Sequence, residues 1–328
     1  MKFVVPKSVV IKETAARDGF QNEKHVIPTQ EKIRSINSCL EAGFKQIEVT
    51  SFSNPRNVPQ FADAEEVLKG IIRKPEVVYW GTTVTKRAVE RAVAATEKGY
   101  GINMTSWMVS TSESHVKKNC GQSSTERFAL AKTMLQMMRG AGMNMCGAVT
   151  TVFGCPMEGP IPIQRAIEFT DKFIDLGFDW ILHGDTTGEG TPNRVFDYFS
   201  MILDRYPRVT HIAHFHESRG WGLANCLAAL QAGISNFDSS MGGLGGQPAH
   251  IVDDIARPGT GPAYTPSDIT GNVRSEDLIV MLDEMGIETG LDVDRVLDIG
   301  RFVEKVVGRR LKSYCVETGR IPKGPTGL

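Results

Sequence analysis

The sequence predicts an α/β fold, a (β/α)₈ TIM barrel with extra C-terminal helices. The first observation is a repeated junction, in which a helix-like segment ends in glycine and passes directly into a short β-rich run. Five junctions have this form, at Gly43, Gly99, Gly142, Gly177 and Gly233. Glycine accepts the left-handed conformation just past a helix end, which permits a short turn into the next strand. Two further junctions contain proline, at Pro75 and Pro207, and an opening strand at 9–13 brings the number of strands to eight.

The segments between these strands have helical periodicity. Apolar residues recur three and four positions apart, as at Ile33, Ile36 and Leu40, which is typical of a helix with one buried face. An open doubly wound sheet is the competing architecture, but it usually carries a glycine-rich phosphate motif after the first strand, and none is present there. We therefore expect a catalytic barrel over residues 1–290, with a helical appendage and tail at 291–328 packed against it.

Bulk properties narrow the class of protein. The 328 residues carry 37 Lys and Arg against 38 Asp and Glu, for a net charge of -1, so no basic surface indicates binding to nucleic acid or to a membrane. The six cysteines form no CxxC pair, which favours reduced thiols. The N-terminal segment lacks the apolar core of a signal peptide. We expect a cytoplasmic protein without nucleic-acid or membrane partners.

Ionisable residues accumulate where the predicted strands end. Active sites of such barrels lie at the C-terminal ends of the strands. The ionisable residues at these exits are Arg17, Asp18, Glu48, Asp185, His214 and His216, and Ser51 and Thr151 follow strands two and five. Together they place a fixed cation, several carboxylates and two imidazoles around one predicted cavity.

His214 and His216 are two residues apart on a predicted strand, so both rings point to the same side. Two such histidines are either hydrogen-bonded structural residues or metal ligands, and the convergence of Asp18 favours a metal. A set of carboxylate and imidazole without thiolate favours Mg²⁺ or Mn²⁺. Arg17 is suited either to neutralising buried carboxylates or to stabilising an enolate or carboxylate oxygen. Asp185 and Glu48 are either catalytic or simple hydrogen-bond acceptors at strand ends.

Several ordered motifs resemble the hydroxymethylglutaryl-CoA lyase family, within the metal-dependent barrel group that includes isopropylmalate and homocitrate synthases. The resemblance covers nearly the whole chain. The matching stretches are RDGFQNE at 17–23, EVTSF at 48–52, VPQ at 58–60, EVLKG at 66–70, GCPMEG at 154–159, GDTTGEGTP at 184–192, HFH at 214–216, GGLGG at 242–246 and GNVRSEDL at 271–278.

The resemblance implies roles for individual residues. The metal ligands would be Asp18, His214, His216 and Asn272, and the remaining metal positions would take hydroxyl and carboxylate oxygens of the substrate. Arg17 would face the thioester carbonyl, with Glu48 holding it or the ligands in place. Asp185, together with His214, would remove the hydroxyl proton. Cleavage would be a retro-Claisen reaction that gives acetyl-CoA and a keto acid, with CoA bound as part of the substrate.

One position departs from the family pattern. Lyases that cleave hydroxymethylglutaryl-CoA have a cysteine in the loop after strand eight that protonates the departing enolate, whereas this chain has Gln247. Glutamine cannot act as an acid, so we expect a different proton donor or a divergent substrate. The loop that follows is longer and carries His250, which is a surface residue or the replacement donor. We also assign Gln21, Ser51 and Thr151 to substrate contact or to the lid.

Three functions remain to be distinguished at this level. The first is a lyase acting on a 3-hydroxy-3-methylglutaryl-CoA-like or citramalyl-CoA-like thioester. The second is a condensing synthase of the same group that runs the reverse reaction, which ranks lower because such synthases usually carry further C-terminal regions. The third is a catalytically silent metal-binding barrel. The resemblance also implies a homodimer.

Overall fold

The structure is a computed structural model that describes residues 4–246, 249–252, 255–258 and 271–324. Eight parallel strands close into a barrel in chain order, as the sequence predicts. Their bounds are β1 Val10–Glu13, β2 Gln46–Ser51, β3 Val78–Thr82, β4 Met104–Ser110, β5 Asn144–Thr150, β6 Trp180–Asp185, β7 Thr210–Phe215 and β8 Asn236–Ser239. Closure is made by β8 pairing with β1, where Val10 lies opposite Asn236.

Helices cover the outside of this barrel and extend past it at the C-terminus. Their bounds are α1 Thr29–Glu41, α2 Ala64–Gly70, α3 Lys86–Glu97, α4 Glu113–Cys120, α5 Ser124–Gly140, α6 Ile163–Asp175, α7 Pro192–Arg205, α8 Gly222–Ala232, α9 Ser275–Glu284, α10 Val293–Val307 and α11 Tyr314–Thr318. Single turns of 3₁₀ helix occupy Pro59–Phe61 and Met241–Gly243, and a π-helical turn occupies Ala15–Gly19. No helix in these ranges has the length and apolar character needed to cross a membrane.

The junction glycines adopt the backbone conformation for which they were identified. The φ angles are 103° at Gly43, 85° at Gly99, 74° at Gly142, 95° at Gly177 and 110° at Gly233. An L side chain is disfavoured at each of these angles. The five predicted helix ends are therefore fixed by residue type, and each one feeds a barrel strand.

Two apolar clusters hold the fold together. The larger lies between barrel and helices and includes Val296 and Val303 of α10, so the C-terminal helices share the core of the barrel. The boundary at residue 291 stays a prediction. The smaller cluster fills the barrel interior and consists of Trp80, Met104, Cys146, Ala148, Leu182 and Ile212. It closes the barrel beneath the strand exits, so a cavity can open only above it.

Two short antiparallel pairs interrupt the barrel pattern. Gly154–Cys155 pairs with Gly159–Pro160 after β5, and Ala249–Val252 pairs with Ile255–Pro258 after β8. The second pair lies in the long loop that the sequence predicts as a lid. Gln247 lies outside the described residues, and only the backbone of His250 is described. The roles predicted for these two residues therefore stay predictions.

Candidate metal and active site

A cavity of about 1280 Å³ opens at the C-terminal ends of the strands. It exceeds the usual range of about 300–1,000 Å³ for small-molecule pockets. Its lining includes the predicted site residues Arg17, Asp18, Gln21, Glu48, His214 and His216. The strand exits therefore meet in one space, with room for a ligand longer than a simple organic acid.

Asp18, His214 and His216 form a group that can hold a metal ion. One ligand atom from each lies within 4.8 Å of the others. His214 is on β7 and His216 directly follows it, so period-two alternation turns both rings into the cavity. Asp18 approaches from the π-helical turn after β1, and such turns occur frequently at functional sites because they redirect side chains. The spacing of the two histidines in the sequence predicted that they lie together, and closure of the barrel places Asp18 beside them.

Hydrogen bonds fix the orientation of both imidazoles. His214 Nδ1 lies 3.0 Å from Asp238 Oδ2, and His216 Nδ1 lies 2.5 Å from the carbonyl oxygen of Thr186. An acceptor at each Nδ1 places the proton on that nitrogen. The two Nε2 atoms are 2.9 Å apart, so their lone pairs face one another across the cavity. This arrangement is unfavourable unless a cation or a proton lies beside them, which fits a metal site.

Burial and neighbouring charges keep His216 and Asp18 in the protonation states that metal binding needs. Burial lowers the pKa of His216 to about 4, so the ring is neutral near pH 7. Burial by itself would raise the pKa of Asp18. Arg17, the two histidines and the hydrogen bond from Asn272 together hold that pKa well below its usual value. The aspartate therefore offers a charged oxygen.

Asn272 lies beside this group, in contact with two of its members. It forms a β-bridge with His216, and its Nδ2 donates to Asp18 Oδ2 at 2.5 Å and to the carbonyl oxygen of Leu244 at 2.9 Å. Its Oδ1 is buried and has no hydrogen-bond partner within the described part of the chain. An unsatisfied buried oxygen is costly, and here it lies beside three potential ligands. A carbonyl oxygen is a ligand that Mg²⁺ and Mn²⁺ accept.

Two carboxylates orient Arg17. Its Nη1 donates to Asp18 Oδ1 at 2.8 Å, and its Nη2 contacts Glu48 Oε2 at 2.9 Å. The other oxygen of Glu48 accepts a hydrogen bond from Thr82 at 2.6 Å. Burial acts to lower the pKa of Arg17, but Glu48 and Asp18 outweigh it and raise that pKa, so the guanidinium stays charged. A fixed cation therefore lies next to the metal-ligand group.

Lys12 and Asp238 also line the cavity, and sequence reasoning missed both. Lys12 Nζ lies 3.1 Å from Asp238 Oδ2, the same oxygen that accepts from His214, and 4.0 Å from the centre of the Trp80 ring. Lys12 and Asp238 face each other in register across β1 and β8. A charged residue inside each of two predicted strands was the available signal.

Four predicted site residues of the described part of the chain are not in the cavity lining: Asn272, which instead bonds to Asp18, and Asp185, Ser51 and Thr151. Asp185 follows Gly184 on β6, so its side chain points to the helix layer, where its oxygens accept hydrogen bonds from the backbone N–H groups of Glu189 at 2.8 Å and Gly190 at 3.0 Å. Burial raises the pKa of Asp185 to about 6. The carboxylate thus organises the loop after β6, and its predicted role in removing the hydroxyl proton stays a prediction.

Ser51 and Thr151 are likewise turn residues. Ser51 Oγ is 2.8 Å from Ser53 Oγ and accepts from the backbone N–H of Ser53 at 3.2 Å. Thr151 has a φ of 55°, and its hydroxyl bonds within 2.8 Å to Ser110 and Thr111, which joins the ends of β4 and β5. The expected substrate contacts are not observed because both hydroxyls are fully buried in these networks.

Comparisons with known proteins agree with this geometry. The family model described as HMGL-like matches residues 8–303. The mitochondrial hydroxymethylglutaryl-CoA lyase of Bos taurus is 39% identical over 312 residues, which cover 95% of this chain and 90% of that protein. Hydroxymethylglutaryl-CoA lyase YngG of Bacillus subtilis is 35% identical over 308 residues, covering 94% and 96%.

Solved structures give the same family. The HMG-CoA lyase of Acinetobacter baumannii, in complex with coenzyme A and 3-methylmalate, superposes with a TM-score of 0.85 at 31% identity and 97% coverage of both chains. The HMG-CoA lyase of Bacillus subtilis superposes with a TM-score of 0.85 at 34% identity, covering 96% of this chain and 98% of that one. With a family match over most of its length and relatives above 30% identity, the chain belongs to the HMGL-like family.

Proposed function

We propose that the protein is a divalent-metal-dependent carbon–carbon lyase that cleaves a 3-hydroxy-3-methylglutaryl-CoA-like thioester into acetyl-CoA and a keto acid. The observation that carries this proposal is the convergence of Asp18, His214 and His216 beside Arg17 in one cavity, with Asn272 bonded to Asp18. Relatives named hydroxymethylglutaryl-CoA lyase support the choice of substrate class.

Asp18, His214, His216 and Asn272 would hold the metal, with Mg²⁺ or Mn²⁺ favoured by oxygen and imidazole donors in the absence of thiolate. When bound, a divalent ion supplies Lewis-acid polarisation of substrate oxygens. The protein contributes the fixed orientation of both imidazoles through Asp238 and Thr186. Such outer partners typically change metal affinity or activity by about 10- to 100-fold when they are removed.

Arg17 would stabilise the negative oxygen that forms on the thioester as the carbon–carbon bond breaks. The bond's electron pair passes to the acetyl fragment as an enolate, and the hydroxyl carbon becomes the carbonyl of the keto acid as its hydroxyl proton passes to Asp185. The enolate then takes up one proton to give acetyl-CoA, and His250 is the candidate for its donor. A fixed donor at such an oxygen is typically worth about 10²- to 10³-fold in rate. Glu48 acts as a positioning residue. One of its oxygens contacts Nη2 of Arg17 and the other accepts a hydrogen bond from Thr82, so both are already engaged.

The proposal keeps Asp185 as the acceptor of the hydroxyl proton. Each of its oxygens accepts one backbone N–H group, from Glu189 or Gly190, and retains a lone pair that can take a proton. His214 reaches the cavity, but its Nε2 belongs to the metal-ligand group. One nitrogen cannot hold a metal ion and a proton at once, so we assign His214 to the metal.

The size of the cavity supports a CoA thioester as the substrate. The wall on the side of β2 and β3 carries Arg56, Arg87 and Arg91, and a cationic wall favours anionic ligands. A homodimer and a cytoplasmic location complete the proposal. Sedimentation of the purified chain tests the dimer independently of catalysis.

The function is tested by measuring acetyl-CoA release from 3-hydroxy-3-methylglutaryl-CoA before and after EDTA treatment, with Mg²⁺ or Mn²⁺ added back. We expect release that EDTA abolishes and the metal restores. His216→Ala should remain inactive after the addition, whereas His211→Ala, which alters a buried histidine of β7 outside the cavity lining, should recover. Release that ignores chelation, or no release from any hydroxy acyl-CoA, would rule out the proposed reaction.

A further inference from the structure

One side of the cavity has an apolar surface made by three neighbouring strands. Met108 of β4, Ala148 of β5 and Leu182 of β6 all line the cavity. They form one continuous row, since Met108 is in register with Ala148 and Ala148 with Leu182. We call this row the apolar floor. These three residues line the cavity, whereas Trp80, Met104, Cys146 and Ile212 of the barrel interior do not.

The strand register gives the depth of the floor relative to the metal-ligand group. Leu182 is paired with Ile212, and Gly184 with His214, two residues further along each strand. Two residues of a parallel strand advance about 6.6 Å. The apolar floor therefore lies about 6.6 Å beneath the level of His214 along the strands.

The space between these two levels is left open by Gly184. A Cβ built on Gly184 would meet its nearest atom, Thr186 Oγ1, at 3.5 Å, so no neighbouring group occupies the position of the missing side chain. Because Gly184 is in register with His214, this gap connects the metal-ligand level to Leu182. Any side chain at 184 would narrow that passage.

The floor is closed from below by apolar residues. Trp80, Met104, Cys146 and Ile212 belong to the same interior cluster as Ala148 and Leu182, and all four are at most 5% exposed. The charged groups of the lining that lie near this cluster are Lys12 and Asp238, which pair with each other at 3.1 Å. A ligand group that enters the pocket therefore meets hydrocarbon, a neutralised ion pair and, beside Met108 on β4, the hydroxyl-bearing Ser106.

We propose that the apolar floor binds an alkyl substituent of two or more carbons on the hydroxyl-bearing carbon of the substrate, so that the substrate class is 3-hydroxy-3-alkylglutaryl thioesters with a branch longer than methyl. The inference rests on the proposed function. The hydroxyl-bearing carbon has three polar or thioester-bearing arms, which the metal-ligand group, Arg17 and the cavity mouth accommodate. The fourth arm is apolar, and the floor is the apolar surface within reach of it.

The expected energetic signature follows from burial of hydrocarbon. One buried methylene contributes about 0.8 kcal/mol, which corresponds to about fourfold in affinity. If the pocket had room only for a methyl group, the ligand with an ethyl group would bind more weakly than the one with methyl, because overpacking a rigid barrel interior is destabilising. The sign of the change from methyl to ethyl therefore decides the proposal.

The test uses 3-methyl-, 3-ethyl- and 3-propylglutaryl-CoA, which lack the hydroxyl and cannot be cleaved. Isothermal titration in the presence of Mg²⁺ should show the dissociation constant falling about fourfold from methyl to ethyl. A ratio of one or less would overturn the inference. Because no turnover is needed, this result is separate from the proposed function, which depends on acetyl-CoA release from the corresponding hydroxy thioesters.

Variants locate the effect at the floor. Leu182→Phe should fill the pocket and reverse the preference for ethyl over methyl, and Ile181→Val, a neighbouring change that faces the helix layer, should retain it. If Leu182→Phe fails to fold, as judged by its thermal transition, Ala148→Val tests the same surface with a smaller increase in volume. An unchanged preference in a folded floor variant would show that the substituent binds elsewhere.

Discussion

Binding of a divalent ion should raise the melting temperature by an amount that depends on the metal concentration and on the size of the chain. A ligand at 100 times its dissociation constant stabilises the native state by about 2.7 kcal/mol. An unfolding entropy of about 2.1 cal/mol/K per residue over 328 residues gives about 0.7 kcal/mol/K. The melting temperature of the metal-free protein should therefore rise by about 4 °C when Mn²⁺ is added at that concentration. Scanning calorimetry measures the shift directly, without any substrate.

Removing one metal-binding side chain should abolish the rise in melting temperature. His216→Ala eliminates one of two facing Nε2 lone pairs, so this variant should show no rise at the same Mn²⁺ concentration. His211→Ala is the matched control, because burial lowers the pKa of both histidines to about 4 while His211 bonds to His183 and the carbonyl oxygen of Tyr206. It should melt lower yet keep the 4 °C rise. An equal shift in His216→Ala and the wild type would refute the assignment of the metal site.

Three further changes probe the surroundings of the site. Glu48→Gln should lower kcat/KM for acetyl-CoA release about ten- to a hundredfold, since a charge-assisted bond to Arg17 is weakened, and an unchanged value would contradict its positioning role. Burial raises the pKa of Glu276 to about 8; the folded state thus holds this proton more tightly than the unfolded state, and stability should fall as pH rises from 6.5 to 8.5. Glu276→Gln should flatten that fall in thermal melts, and an identical slope would exclude Glu276 as the cause. Lys12→Met leaves Asp238 buried without its cation, so urea denaturation should show a loss of about 3–5 kcal/mol, whereas a loss below 1 kcal/mol would mean that the pair contributes little.

The predicted strands and helix ends depended on local chemistry, and they are confirmed. A glycine in the left-handed region ends a helix irrespective of what packs on it, and all five junction glycines have positive φ angles. Eight alternations of strand and helix are compatible with only a few architectures, and the closed barrel is one of them. The histidine pair was visible for the same reason, since period-two alternation is a local property of a strand.

The sequence left the direction of some site residues open, at positions where the inward–outward alternation of a strand was ambiguous. Asp185 ends a strand beside Gly184, and the sequence does not say which of the two faces the barrel interior. The register of β6 with β7 decides this, because it pairs Gly184 with the cavity-facing His214. Thr151 adopts a left-handed φ of 55° that its residue type disfavours, so its inward orientation toward β4 could not be anticipated.

The sequence by itself determined the number of strands, their exits, the metal-binding residue types and the family motifs, because each of these depends on residues close together in the chain. The tertiary structure decided which carboxylates reach the cavity, which partners orient each imidazole, and what lies beneath them. Asn272 lies 254 residues from Asp18 and donates to its carboxylate, and Leu182 lies beneath His214 only through the pairing of two strands. Contacts of that kind are fixed by barrel closure and register, which no local pattern of residues specifies.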